Sequence, residues 1–64
     1  MISNKIKQFR EQKNLTQEDL AGAVGVSRQT IVAMEKGNYE PSLGLAMKLS
    51  KYFKVNIDDI FVLK

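Results

Sequence analysis

An all-α domain of five short helices is the fold this sequence predicts, and three observations predict it. Apolar residues recur three and four apart, most clearly at Leu45, Ala46, Leu49, Tyr52 and Phe53. Residues that cap helices (Thr16, Ser27, Ser42 and Asn56) stand ahead of the apolar runs. No strand-like alternation extends over any long window, and the chain holds one proline. Sixty-four residues leave room for one small core, so residues 1–64 are expected to form a single domain without a linker.

The first helix is expected from about Ser3 to Lys13, with Ile2, Ile6 and Phe9 at helical spacing and Asn14 as the left-handed residue that ends it. Thr16 opens the second. Its hydroxyl can accept from a backbone amide one turn on, and Asp19 stands where a capping box places a carboxylate. Leu15 and Leu20 flank this cap as a hydrophobic staple. The device repeats at Ser27, with Val26 and Ile31 as the staple, and opens a third helix over residues 27–36. Between the two stands Gly25, which tolerates the positive φ of a tight turn, and Ala21 leaves room for two backbones to approach. Gly37 stops the third helix. Ser42, after Pro41, caps the fourth, and Lys48, Lys51 and Lys54 fall on the wet side opposite its apolar face. Asn56 caps a short fifth helix, with Asp59 three residues on and Val55 and Ile60 as a third staple. Asp58 and Asp59 lie in its first turn, where they serve the helix dipole and the cap rather than a catalytic pair.

Composition narrows the function. A chain of this size buries only about 60% of its unfolded surface, so it is marginal without help. With no Cys, neither a disulfide nor a thiolate metal site supplies that help. With no His, the usual zinc ligand and the usual neutral-pH acid–base group are missing too. No enzyme activity, metal or cofactor is therefore expected, and helix packing and self-association remain as routes to stability. No apolar run approaches the roughly 20 residues of a membrane span, and no signal-peptide pattern opens the chain. A soluble cytoplasmic protein without a membrane partner is the expectation. The net charge of +3 favours a polyanion partner without demanding one.

Leu15 to Gly37, LTQEDLAGAVGVSRQTIVAMEKG, thus reads as two helices locked at a fixed angle. Its residues Gln17, Ala21, Gly25, Val26, Ser27, Gln29, Thr30, Ile31 and Glu35 resemble the helix-turn-helix of the lambda-repressor and Cro-like family of DNA-binding regulators. Gly37-Asn38-Tyr39-Glu40-Pro41-Ser42 is similar to that family's loop into its fourth helix, and Ile57-Asp58-Asp59-Ile60-Phe61 to its fifth helix. The resemblance covers nearly the whole chain. It implies a lambda-repressor-like fold and a dimeric, sequence-specific binder of double-stranded DNA, with the third helix in the major groove.

Ser27, Arg28, Gln29, Val32 and Ala33 are the candidates for base contact. Arg28 and Gln29 follow the cap, and Ile31 and Met34 set the buried side, so 28, 29, 32 and 33 point outward or along the flank. Arg pairs bidentately with guanine O6 and N7, and Gln with adenine N6 and N7. An ordinary solvated face has no need of the apolar Val32 and Ala33, whereas a groove offers thymine methyls. Many members of the family carry polar residues at these two positions, so the readout is less hydrogen-bonded than usual. Gln17, where the resemblance implies a phosphate contact, and Thr16, Lys36, Asn38 and Tyr39 are the phosphate candidates. Lys36 could equally serve only the dipole of its helix. Arg10 and Glu35 lean inward and are expected to pair as a structural ion pair.

Ile57, Ile60, Phe61, Val62 and Leu63 hold more apolar surface than one core can cover, so they are expected to form a homodimer interface. The alternative is that they plug the bottom of the monomer. A two-fold dimer implies a near-palindromic operator. No small-molecule effector is expected, and repression by occlusion is the regulatory reading. A protein-binding or antitoxin-like helical module is the alternative function. It predicts an exposed apolar patch on the outer face of the third helix.

Overall fold

The structure, a computed structural model, describes residues 2–63. Five helices, α1 (Ile6–Gln12), α2 (Gln17–Val24), α3 (Arg28–Glu35), α4 (Leu43–Phe53) and α5 (Ile57–Ile60), follow a short strand β1 (Ile2–Asn4) and precede a second, β2 (Phe61–Leu63). The helical fold is the one the periodicity predicts, and the strand pair is a small addition to it.

Every helix contributes to one core. Ile6 of α1, Leu20 of α2, Ile31 and Met34 of α3, Leu49 of α4 and Ile60 of α5 are wholly buried. Burial of each such side chain stabilises the fold by roughly 1.5–3 kcal/mol. Phe9 and Phe53 pack with ring centroids 5.7 Å apart and close the space between α1 and α4. The helix ends follow local chemistry. Asn14 is left-handed at φ 57° and Gly37 at φ 81°. The Ser42 hydroxyl accepts from the Leu45 amide at 3.1 Å, and the Asp59 carboxylate accepts from the Asn56 amide at 3.0 Å.

Three expectations are corrected. Ile2, Ser3 and Asn4 are not the start of the first helix but a strand, with Ile2 opposite Leu63, Ser3 opposite Val62 and Asn4 opposite Phe61. The two ends of the described chain satisfy each other's backbone groups there, so helix formation is delayed to Ile6. The Asn4 side-chain oxygen accepts from the Ile6 amide at 3.2 Å, which serves the first turn of α1. Lys54 does not lie along the wet face of α4; it ends that helix in the left-handed region at φ 58°. Ile60 is wholly buried in the monomer's own core, so it offers no surface for a second copy. Phe61 and Val62 are half-buried within β2, and Leu63 is 80% exposed.

Candidate nucleic-acid interface

The turn between α2 and α3 is built from backbone chemistry. Gly25 ends α2 in the left-handed region at φ 74°. The Val26 amide donates to the Ala21 carbonyl at 3.0 Å, closing the helix before the chain turns. Ala21, nearly fully buried, keeps the two helices close. At the start of α2 the Thr16 hydroxyl accepts from the Asp19 amide, and the Asp19 carboxylate accepts from the Thr16 amide, both at 3.0 Å. Those hydrogen bonds to Thr16 hold the Asp19 carboxyl below the usual aspartate value. At the start of α3 the Ser27 hydroxyl accepts from the Thr30 amide at 3.2 Å and lies 3.1 Å from the Thr30 hydroxyl.

With Ile31 and Met34 locked in the core, α3 has one outward orientation. Ser27, Arg28 and Gln29 are exposed on its first turn, while Val32 and Ala33 are half-buried along its flank. Thr16 is exposed and Gln17 half-buried at the start of α2. Lys36, Asn38 and Tyr39 follow α3 with exposed side chains, and the Asn38 amide donates to the Ala33 carbonyl at 2.9 Å.

Arg10 and Glu35 meet across the fold. Arg10 Nε donates to one carboxylate oxygen of Glu35 at 2.7 Å and its Nη2 to the other at 3.1 Å. Arg10 Nη1 donates to the Leu15 carbonyl at 2.8 Å. The two side chains are 11% and 6% exposed, so the pair sits largely out of water. Hydrogen bonding to Glu35 raises the Arg10 pKa further above its ordinary value, against an opposing effect of burial.

Glu35 also accepts from Gln17 Nε2 at 3.2 Å, and Gln17 Oε1 accepts from Arg28 at 3.5 Å, the limit of a hydrogen bond. A chain of polar contacts therefore runs from the buried ion pair through Gln17 to the exposed Arg28. Gln17 Nε2 carries a second hydrogen that the bond to Glu35 does not use. This chain of contacts is not legible in the sequence, because nothing in the spacing of residues 10, 17, 28 and 35 joins all four. Nor is the role of Asn4, whose Nδ2 donates to the Met34 carbonyl at 2.7 Å. Among the described residues the exposed large apolar side chains are Tyr39, Leu43, Met47 and Leu63. Leu43 and Met47, one turn apart on α4, were recognisable from their spacing of four on the side away from Leu45 and Leu49.

Comparison with known proteins points in one direction. Residues 6–60 match the family model described as helix-turn-helix. An uncharacterized HTH-type transcriptional regulator of Methanocaldococcus jannaschii is 61% identical over 61 residues, spanning 95% of this chain and 92% of that protein. The cryptic phage CTXphi transcriptional repressor RstR of Vibrio cholerae is 38% identical over 60 residues, spanning 94% of this chain and 54% of that one. A crystal structure of a Bacteroides fragilis protein superposes with a TM-score of 0.85 at 27% identity, covering 97% of this chain and 100% of the other. By its matched residues, its relatives and its five-helix fold, the chain belongs to the XRE-type helix-turn-helix family of transcriptional regulators.

Proposed function

We propose that this protein reads specific double-stranded DNA sequences as a dimer and represses transcription by occluding its operator. The observation that carries this reading is the first turn of α3. Arg28 and Gln29, two residue types suited to base edges, are exposed beside the Ser27 cap on a helix whose opposite side is fixed in the core. Thr16, Gln17, Lys36, Asn38 and Tyr39 are proposed to hold the phosphates on either side, and Val32 and Ala33 to meet thymine methyls. No large exposed apolar side chain lies on α3, which weighs against a protein-binding surface there. Occlusion needs only DNA binding, and RstR, 38% identical, is named a repressor. A cytoplasmic site of action is part of this proposal; separately, no helix of the described residues is long and apolar enough to cross a membrane.

Dimerisation is proposed through the exposed Leu63 with the half-buried Ile57, Phe61 and Val62. One small module buries only about 600–1,000 Å² on DNA and discriminates poorly alone. Two copies related by a two-fold axis would set their α3 helices on successive major grooves about 34–36 Å apart. Selection from a random duplex pool, followed by titration at several salt concentrations, tests the reading. A near-palindromic preferred site and steep loss of affinity with salt are expected. Binding without sequence preference overturns specific readout. Sedimentation equilibrium on the parent and on Leu63→Ser decides the oligomeric state, and a parent that stays monomeric at tens of micromolar, with or without DNA, overturns the dimer.

A further inference from the structure

We propose that Asn4 is a positioning residue for DNA binding, fixing the C-terminal end of α3 and the loop that carries Lys36, Asn38 and Tyr39. The inference rests on the DNA-reading function proposed above and assigns part of it to a strand that lies outside the helix-turn-helix.

The last carbonyls of a helix have no partner within the helix, and what satisfies them decides where the chain goes next. The Met34 carbonyl accepts from the Gly37 amide at 3.0 Å and from Asn4 Nδ2 at 2.7 Å. The first bond is local and shapes the turn. The second crosses to β1 and anchors that turn to the rest of the molecule. Asn4 is itself held from two sides. Its Oδ1 accepts from the Ile6 amide at 3.2 Å, and its backbone lies in the two-stranded sheet opposite Phe61. The neighbouring Lys5 amide donates to the Ile60 carbonyl at 2.8 Å, tying the same point to the end of α5.

The carboxamide therefore spends an acceptor on one helix and a donor on another. Reversing it would set its NH2 against the Ile6 N–H and its oxygen against the Met34 carbonyl, so a single orientation is allowed. Aspartate lacks the donor, and serine or threonine is too short to serve both partners. Beside this contact a cleft of about 390 Å³ separates β1 from residues 35–38 at the end of α3. Across that cleft the Asn4 bond is the side-chain hydrogen bond that ties β1 to the end of α3. Arg10 holds the Glu35 side chain from α1, the Asn38 amide holds the loop to the Ala33 carbonyl at 2.9 Å, and Asn4 adds the tie from this backbone to β1. Arg28 and Gln29, at the other end of α3, are positioned by the Ser27 cap and by packing against α2.

The test uses Asn4→Ser, which is neutral and keeps an oxygen for the Ile6 amide while losing the reach to Met34. Parent and variant are titrated, well below the melting temperature of either, against duplexes the parent recovers from a random pool and against the same duplexes with each base pair changed in turn. The expected result is affinity lower by about fivefold on every duplex, the scale of one net hydrogen bond, with the order of base preference unchanged. In the parent bound to DNA, amide resonances of Gly37 and Asn38 should shift, and the variant should lose part of that shift. Equal affinity of variant and parent overturns the inference, even if the variant melts lower, because the role is then only structural. A loss confined to base pairs read by Arg28 or Gln29 also overturns it, because Asn4 would then act on the wrong end of α3. Should Asn4→Ser fail to fold, Asn4→Thr, a better strand former with the same hydroxyl, takes its place under the same criteria. A parent that binds no duplex at all refutes the DNA-reading function itself, a result distinct from either failure of the Asn4 variants.

Discussion

The two ends of α3 are held in opposite ways. Its first turn is capped by Ser27 and otherwise open, with Arg28 and Gln29 exposed and one marginal 3.5 Å contact from Arg28 to Gln17. Its last turn is bound on three sides: Met34 is wholly buried, Glu35 accepts from Arg10 and Gln17, and the Met34 carbonyl accepts from Asn4. The difference separates two tasks within one helix of eight residues. Stability and orientation are concentrated at the end that need not vary. The side chains proposed to choose a sequence, Arg28 and Gln29, stand at the end where substitution disturbs nothing packed.

The largest expected effect breaks the held end. Glu35→Ala leaves Arg10 charged, largely buried and without its carboxylate, which typically costs about 3–5 kcal/mol. For a domain of this size that corresponds to a melting midpoint lower by at least about 12 °C. Thermal unfolding followed by circular dichroism measures it, and a midpoint within a few degrees of the parent would show that the last turn is not where α3 is secured.

The open end should behave the other way. Gln29→Ala is expected to weaken binding to the preferred site by about 1–3 kcal/mol and to relax preference at one base pair. Its melting midpoint should stay near the parent's, because exposed substitutions away from caps change stability by about 0.5 kcal/mol or less. Competition binding with single-base variants of the site reads this out. A variant that melts early but keeps its preference would reverse the proposed division between the two ends.

Gln17 touches both ends, so Gln17→Ala sharpens the comparison. As a phosphate contact it should lower affinity for all duplexes by about 1 kcal/mol. A change in preference at one base pair would show instead that its main role is to hold Arg28.

The smallest effect lies in the pH dependence of the neighbouring α2 cap. The Asp19 carboxyl titrates below its ordinary value because it accepts from Thr16. A lowered folded-state pKa contributes stability that is fully present above the unfolded value and is lost as the pH falls through the folded one. Stability measured by urea unfolding should therefore decline on acidification below the ordinary aspartate range. Asp19→Asn should remove a small part of that decline, and an unchanged acid limb would show that the cap adds nothing there.

How far the sequence reveals this molecule depends on the range of the interactions involved. Thr16, Ser27, Ser42, Gly25 and Gly37 act on backbone within a turn of themselves, so their roles are legible from neighbouring residues alone. Leu45, Leu49 and Phe53 repeat at a period long enough to mark a buried face. The strands are different. Three residues give little more than one period of alternation, and Ile2 also fits the helical spacing to Ile6. What makes Ile2–Asn4 a strand is Phe61–Leu63 at the far end of the chain, a partner no local pattern announces. The same distance hides Asn4, which as a sequence letter is one more polar residue ahead of a helix. Ile60 shows the reverse error. Its place in an apolar terminal cluster suggested a surface, whereas the sheet leaves Leu63 outside and draws Ile60 in.

Pairing Ile2 with Leu63 also bears on how the chain folds. The helices and the turn between α2 and α3 are made of contacts between near neighbours, which form fast. The sheet pairs residues far apart in sequence, and non-local contacts of this kind slow folding, although the entropy of closing a loop grows only slowly with its length. Because the pairing is antiparallel and in register, Leu63 could be joined directly to Ile2 through a short hairpin turn, with new ends opened in the loop between α3 and α4. In such a rearranged chain the contact of longest range becomes one of the most local.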